Sequence, residues 1–215
     1  MSKPSRYPYA FRLVRLYANT LLILAGLIVR VRRKGALPEG PVIICPNHSS
    51  YLDIVVMYRV FRRYFVFMGK AEINNWPLFH IFFSKGMNIS VNRSNPHSAH
   101  QAYERCKREL AQGHSVVIFP EGTIPPTAPQ LKTFKNGAFK LSMETGVPIV
   151  PVTYLNNWKR LQAGSALRRL GGPGFCDVVV HEPVFPHKFE GDIVAFKNEV
   201  FSIIAQPLNE RYGSK

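Results

Sequence analysis

Apolar and polar positions alternate in blocks along this chain, and the blocks predict strands and helices in turn. Val42-Ile-Ile-Cys45 is uniformly apolar between Gly40 and Pro46 and reads as a buried strand. A polar turn follows, then a helix from about residue 52 to 60. Residues 64–68 read as a second strand, 76–84 as a short apolar helix and 87–91 as a third strand. Asn95-Pro96 opens a helix, a cap followed by proline at the first helical position, that closes near Gly113. Residues 115–119, Ser115 followed by four apolar residues, are apolar enough to predict a strand covered on both faces. A Pro-rich loop, 124–131, precedes a helix at 136–145. The strand at 147–153 carries prolines that suggest its ends or a sheet edge. The Gly/Arg-rich stretch 160–174 reads as an exposed loop, 176–181 as a late strand and 192–208 as a final amphipathic helix.

Strands alternating with helices predict one α/β domain, a mostly parallel or mixed sheet flanked by helices, over residues 36–215. Residues 1–35 stand apart from it. They hold eight bases and no acid, and between Arg15 and Arg30 lies an uncharged, mostly apolar run, 16–29. As a helix this run is about 21 Å long at ~1.5 Å per residue, short of the ~30 Å hydrocarbon core of a bilayer. Arg30-Val-Arg-Arg-Lys34 stands where a signal peptide would need small residues for cleavage. Arg12, Arg15 and Asn19 read as a polar face opposite Phe11, Leu13 and Tyr17. Two readings stand for the segment: a membrane-associated interfacial helix with basic flanks near anionic headgroups, or a buried helix of the core.

Composition changes this picture in one respect. There are 28 Lys+Arg against 13 Asp+Glu, a net charge of +15, so a polyanionic partner is expected: nucleic acid, anionic lipid or a phosphorylated substrate. With 46% hydrophobic residues the chain is not a disordered basic tail. Cys45, Cys106 and Cys176 are widely spaced, which supports neither a disulfide scaffold nor a zinc ribbon.

Several chemistries lose their weight for want of a motif. No phosphate loop, dinucleotide-binding glycine pattern or Gly-x-Ser-x-Gly elbow is present. His97-x-x-His100 lacks the further ligands that a metal site needs. Pro46-Asn-His-Ser-Ser-Tyr-Leu-Asp53 is different, because it follows a buried strand and opens a helix, where α/β proteins place reactive groups. On a regular helix, five positions separate two side chains by about 140° at ~3.6 residues per turn. His48 and Asp53 therefore meet only if His48 sits in the turn before the helix. Ser50 as N-cap with Asp53 three residues later would start the helix between them. Asp53 could then orient the His48 ring and leave its other nitrogen as a base; the bland alternative is an ordinary capping pattern with a surface histidine. Phe119-Pro-Glu-Gly-Thr123 ends the apolar strand, with Gly122 permitting close backbone approach and Glu121 and Thr123 as polar anchors. Arg93 closes another strand and suits a phosphate through paired N–H contacts.

Taken together, these residues resemble the lysophosphatidic acid acyltransferase family of glycerolipid acyltransferases. The Asn-His-x-x-x-x-Asp block is similar to Asn47-His48 through Asp53, and the arginine block to Val91-Asn92-Arg93, with Asn92 where Asp is common. Phe119 to Thr123 match the Phe-Pro-Glu-Gly-Thr block, and 147–152 match the last block after a Phe-Lys-x-Gly-Ala pattern at 134–138. The likeness covers roughly residues 40–155. One departure stands out: Ile124-Pro125 replaces the Arg-Ser that commonly follows, leaving Lys132 or Lys135 to supply positive charge.

The resemblance implies an acyltransferase that moves a fatty acyl chain from acyl-CoA or acyl-carrier protein to the free hydroxyl, at sn-2, of lysophosphatidic acid, giving phosphatidic acid. It implies His48 as general base oriented by Asp53, no acyl-enzyme, and neither metal nor other cofactor. Asn47, Arg93, Glu121, Gly122, Thr123 and Lys135 would contact the acceptor. Membrane lipids are the expected partners, at the cytoplasmic face of a membrane, and nucleic acid is not. Rival readings are a relative that acylates another lysophospholipid or a lyso-aminolipid, and a non-enzymatic basic lipid-binding module.

Overall fold

The computed structural model describes residues 7–70, 87–92, 95–162 and 171–213. Within them, seven strands form one sheet: β1 (Leu27–Arg33), β2 (Ile43–Pro46), β3 (Phe65–Lys70), β4 (Ile89–Val91), β5 (Ser115–Ile118), β6 (Ile149–Tyr154) and β7 (Gly174–Val180). Their spatial order is β1-β7-β6-β2-β5-β3-β4. Strands β2 to β6 run parallel to one another, β7 is antiparallel to β6, and β1 runs parallel to β7. The sheet is thus mixed, as the alternation of elements predicts.

The uniformly apolar strands are explained by two cores. Ile43 and Cys45 of β2 face one side with Val66 and Val116, under the helices α3 (Pro96–Ala111), α4 (Gly137–Thr145) and α5 (Ile193–Tyr212). Ile44 faces the other side with Phe65 and Phe67, under α1 (Tyr7–Leu24) and α2 (Leu52–Val60). Each such fully buried side chain contributes roughly 1.5–3 kcal/mol relative to exposure. With both faces covered, strand β2 has no solvent side on which to place polar residues. It lies between β6 and β5, so its C-terminal end opens at the middle of the sheet's edge.

The N-terminal segment departs from the sequence reading. Helix α1 stops at Leu24, Gly26 turns the chain at φ +64°, and residues 27–33 become an edge strand rather than more helix. The period-two pattern Val29-Arg30-Val31-Arg32 is the local cause, and it begins only at the last residue of the apolar run 16–29. Helix α1 buries Phe11, Val14, Ala18 and Leu22 against α2 and the sheet. It leaves Tyr9, Leu13, Leu16, Ile23 and Leu24 exposed, so Phe11 and Leu13 lie on opposite faces instead of sharing one. Among the described residues no helix is long and apolar enough to cross a membrane.

The prolines of β6 mislead in a similar way, because this strand lies inside the sheet. Pro151 bonds on the β7 side, where its carbonyl accepts the His181 N–H, and the β6–β7 ladder starts only at Val152–Val180. The missing N–H therefore falls where β7 has already left. The helix read at 76–84 lies outside the described residues.

Candidate active site

Everything at the C-terminal end of β2 is organised around one carboxylate. Asp53 is fully buried in the first turn of α2. Its Oδ2 accepts the backbone N–H groups of Ser49 at 2.7 Å and Ser50 at 2.9 Å and lies 3.0 Å from His48 Nδ1. Its Oδ1 accepts from Asn157 Nδ2 at 2.8 Å. Ser50 completes the helix start, for its Oγ accepts the Leu52 N–H while donating to the Leu161 carbonyl. His48 sits in the turn before α2, which is what lets two side chains five positions apart meet. A carboxylate with these donors around it accepts from His48 Nδ1–H, so the lone pair of this imidazole is on Nε2. Among the described residues His48 Nε2 has no hydrogen-bond partner, and the residue is 9% exposed.

The ring is held on its other sides as well. Phe119 stacks on it with centroids 4.0 Å apart. The His48 backbone N–H donates to Glu121 Oε1 at 2.7 Å, and the other oxygen of Glu121 accepts the Lys132 N–H at 2.8 Å. One oxygen of this buried carboxyl thus ties the loop after β5 to the loop after β2, and the other ties the loop after β5 back on itself. Burial pushes its pKa up to about 7, against the pull of those two N–H groups and of Lys132, with Asp53 adding a smaller push upward.

The other residues singled out from sequence are placed as follows. Asn47 Nδ2 donates to the Tyr154 carbonyl and its Oδ1 accepts the Tyr154 N–H at 2.7 Å, which continues the β2–β6 ladder through a side chain. Gly122 has φ +77°, and a side chain there would crowd the Lys135 ammonium stem at 3.1 Å. Lys135 and Gly122 border an apolar pocket of about 110 Å³ with Met68, Val91, Ile118 and Phe119, the last being the ring that stacks on His48. Thr123 is exposed beside them. Arg93 lies outside the described residues. A second pocket, of about 210 Å³, begins at Ser49 and is lined by Ile124, Pro125, Pro126, Trp158 and Gln162. Its described lining carries no cation.

Sequence reading missed Asn157 and Tyr154. Tyr154 is fully buried, and its hydroxyl donates to the Asp53 carbonyl at 3.0 Å. Both lie about a hundred positions from Asp53, so spacing gives no hint of them. The one local signal is Asn156-Asn157, one residue beyond a buried strand, a polar pair at the end where this fold collects its polar groups. No group of three or more His, Cys, Asp or Glu suited to a metal occurs among the described residues.

Comparison with known proteins bears on the same region. An acyltransferase family profile matches residues 28–155. The chain is 31% identical over 171 residues to the chloroplastic 1-acyl-sn-glycerol-3-phosphate acyltransferase of Arabidopsis thaliana, a match covering 80% of this chain and 46% of that protein. The chain spans about half the length of the chloroplastic relatives it matches. A probable 1-acyl-sn-glycerol-3-phosphate acyltransferase of Mycoplasma pneumoniae is 27% identical, over 95% of this chain and 81% of that one. The crystal structure of the Thermotoga maritima 1-acyl-sn-glycerophosphate acyltransferase superposes with a TM-score of 0.78 at 20% identity, covering all of this chain and 85% of that one, which speaks for the fold.

Proposed function

The chain belongs to the acyltransferase family, and from that membership we propose that it transfers a fatty acyl group from a thioester to the sn-2 hydroxyl of lysophosphatidic acid. The observation that carries the reading is the buried His48–Asp53 pair at 3.0 Å with Nε2 left unengaged. In this reading Nε2 takes the proton of the acceptor hydroxyl as that oxygen attacks the thioester carbonyl. The tetrahedral centre collapses, the C–S bond breaks, and the imidazolium returns its proton to the departing thiolate. Asp53 fixes the tautomer and offsets the transient charge. A base, a hydroxyl and an activated acyl group balance the reaction, so no metal or other cofactor is called for. Acyl-CoA and acyl-carrier protein present the same thioester and serve equally in the chemistry.

Lys135, beside Gly122 and the end of β4, fits the acceptor's phosphate together with Arg93. Glu121 acts on the acceptor indirectly in this reading, since both its oxygens are occupied by backbone N–H groups. Membrane association rests on the outer face of α1, where Ile23 and Leu24 are 75% and 79% exposed beside Leu13 and Leu16. Such a face laid into the interface, with basic residues at both ends of the segment, suits an anionic cytoplasmic leaflet.

The test is direct. Purified protein with lysophosphatidate and either acyl-CoA or acyl-carrier protein should yield phosphatidate by mass spectrometry, and His48→Ala should not. Retention of near wild-type turnover by His48→Ala would overturn the base assignment. A second reading has an observation of its own: with Ile124 there, the described lining of the pocket beside Ser49 holds no cation, which suits a lysolipid bearing a headgroup other than a phosphate monoester. A panel of lysolipid acceptors decides between the two, the better substrate naming the reading that holds.

A further inference from the structure

The opposite end of the sheet holds a pocket of different character. Leu37, Pro38, Val42, Ile44, Phe61 and Phe65 wall a space of about 220 Å³, and Arg33, Arg62 and Arg63 also border it. Val42 and Ile44 lie at the start of β2, whose other end leads to His48, so the pocket and the candidate active site are at opposite ends of one strand. At ~30 Å³ of liquid per water molecule, the space equals about seven waters, room for the end of one hydrocarbon chain. Phe61, Phe65, Val42 and Ile44 are all nearly fully buried, and the one hydroxyl in the lining, that of Ser115, already accepts the Val42 N–H.

The rim is positive beyond what the fold requires. Arg33 Nη2 donates to the Val60 carbonyl at 2.6 Å with its guanidinium over the Phe61 ring, and Arg63 Nη1 donates to the Pro38 and Glu39 carbonyls. Arg15 Nε donates to the Tyr58 carbonyl, at the C-terminal end of α2. These carbonyls aim the guanidinium groups without neutralising them. The end of a helix is equivalent to roughly half a negative charge, whereas Arg15, Arg33, Arg59, Arg62 and Arg63 all gather here. No carboxylate forms an ion pair with any of the five among the described residues. Burial first, and then repulsion from Arg62 and Arg59, pulls the Arg15 pKa down. Arg62 is exposed and makes no hydrogen bond to a described residue. A dry apolar slot under unneutralised arginines fits an anion with a hydrocarbon tail.

We infer that this pocket takes the end of one acyl chain of an anionic bilayer phospholipid, while Arg62 and its neighbours rest against headgroup phosphate of the anionic surface. Guanidinium groups suit that phosphate through paired N–H contacts. The lipid is not the acceptor of the proposed reaction, because His48 lies at the far end of β2. It would tether the molecule next to α1, whose Phe11 packs on Tyr58, Tyr64 and Phe65 behind the pocket wall. The inference needs neither the proposed chemistry nor the docking of α1, and the experiment separates all three.

Gly40 lines the pocket, its backbone is outside the left-handed region, and a Cβ there meets nothing within 4 Å. Gly40→Trp therefore plugs the slot with no change of charge. Phosphatidylglycerol carrying a photoreactive diazirine at one chain end, in phosphatidylcholine vesicles, is the probe, and cross-linked peptides are read by mass spectrometry. The expected result is labelling within residues 37–44 and 61–65, lowered at least about fivefold by Gly40→Trp. Arg62→Gln should lower it by a similar about fivefold factor, the equivalent of ~1 kcal/mol per base at an anionic surface. A phosphatidylcholine probe of the same chain should label these segments weakly. Equal labelling in Gly40→Trp and wild type, or none in these segments, overturns the inference. Labelling of α1 alone overturns it while leaving α1 docking in place, and turnover of a short-chain soluble acceptor by Gly40→Trp reports on the chemistry separately. Should Gly40→Trp fail to fold, Arg62→Gln and the two headgroups still decide.

Discussion

The two ends of the sheet solve opposite problems with the same strands. At the C-terminal end, polar groups are taken out of water and each is given partners: Asp53 accepts from two backbone N–H groups, His48 and Asn157, and Glu121 from two more. At the N-terminal end, aromatic rings of Phe11, Tyr58 and Phe65 pack edge-on or tilted, and arginines stand over apolar walls. Buried polar groups are costly unless their hydrogen bonds are complete, so the first end specifies one geometry. Apolar packing is tolerant of detail and contributes chiefly stability. The difference predicts that substitutions at one end act on rate and at the other on stability.

The strongest test is His48→Ala. A positioned base is worth about 10²–10⁴ in rate, so kcat/KM should fall by at least that factor while the melting temperature barely moves. A variant that lost stability in proportion to activity would break the comparison at once. Asp53 is where the comparison should blur. Asp53→Asn turns an amide N–H toward donors that already point at it, so it should lose a similar rate factor and about 1–3 kcal/mol of stability as well. Denaturant titration alongside turnover separates the two losses.

The mirror experiment is Phe11→Ala. Phe11 is 3% exposed, with ring contacts to Tyr58, Tyr64 and Phe65 at 4.9–5.4 Å. Removing it should cost about 3–5 kcal/mol by denaturant unfolding, and kcat on a soluble short-chain acceptor should stay within twofold or so under folding conditions. A large fall in kcat would show that the two ends are coupled through α2. Smaller in size is Gly122→Ala, which meets φ +77° and the Lys135 stem together. Left-handed backbone costs an alanine roughly 1–2 kcal/mol, and KM for the acceptor should rise more than kcat falls, because Lys135 is displaced and His48 is not.

How far this was legible differs between the ends. Asn47, His48, Asp53 and Glu121 lie close to strand ends, and the meeting of His48 with Asp53 follows from their spacing and the turn before the helix, whereas Asn47 and Glu121, expected at the acceptor, hold backbone groups instead. Asn157 and Tyr154 reach Asp53 through contacts between distant parts of the chain, which no local pattern announces. The strand β1 was concealed for a related reason: hydrophobicity alone cannot divide a run such as 16–29, and Gly26 in its middle is the single punctuation mark. Pro151 shows the converse, a local rule overridden because the ladder it would have broken ends beside it.

The finest test uses two buried titratable groups, one toward each end, whose shifts have opposite signs. Burial raises Glu121 from 4.5 to about 7, so the fold favours its protonated form. Its stabilising contribution is complete below about pH 4.5 and is lost as pH rises through about 7. Burial, with Lys34 and Arg32 adding to it, lowers His181 from 6.5 to about 4, so the fold favours the neutral ring. Its Nε2 lies 2.9 Å from Thr153 Oγ1, whose hydroxyl donates to the Ile204 carbonyl, so the ring N–H is the donor to Thr153. The His181 contribution is complete above about 6.5 and is lost as pH falls toward about 4. Between 4.5 and 6.5 the two slopes oppose each other, and wild-type stability should be nearly flat there. Glu121→Gln removes one slope and should leave stability rising with pH over that window. His181→Gln removes the other and should leave it falling. If both variants kept the flat profile, neither group would be titrating in the fold, and the two carboxyl-facing loops at the His48 end would owe nothing to the protonation of Glu121.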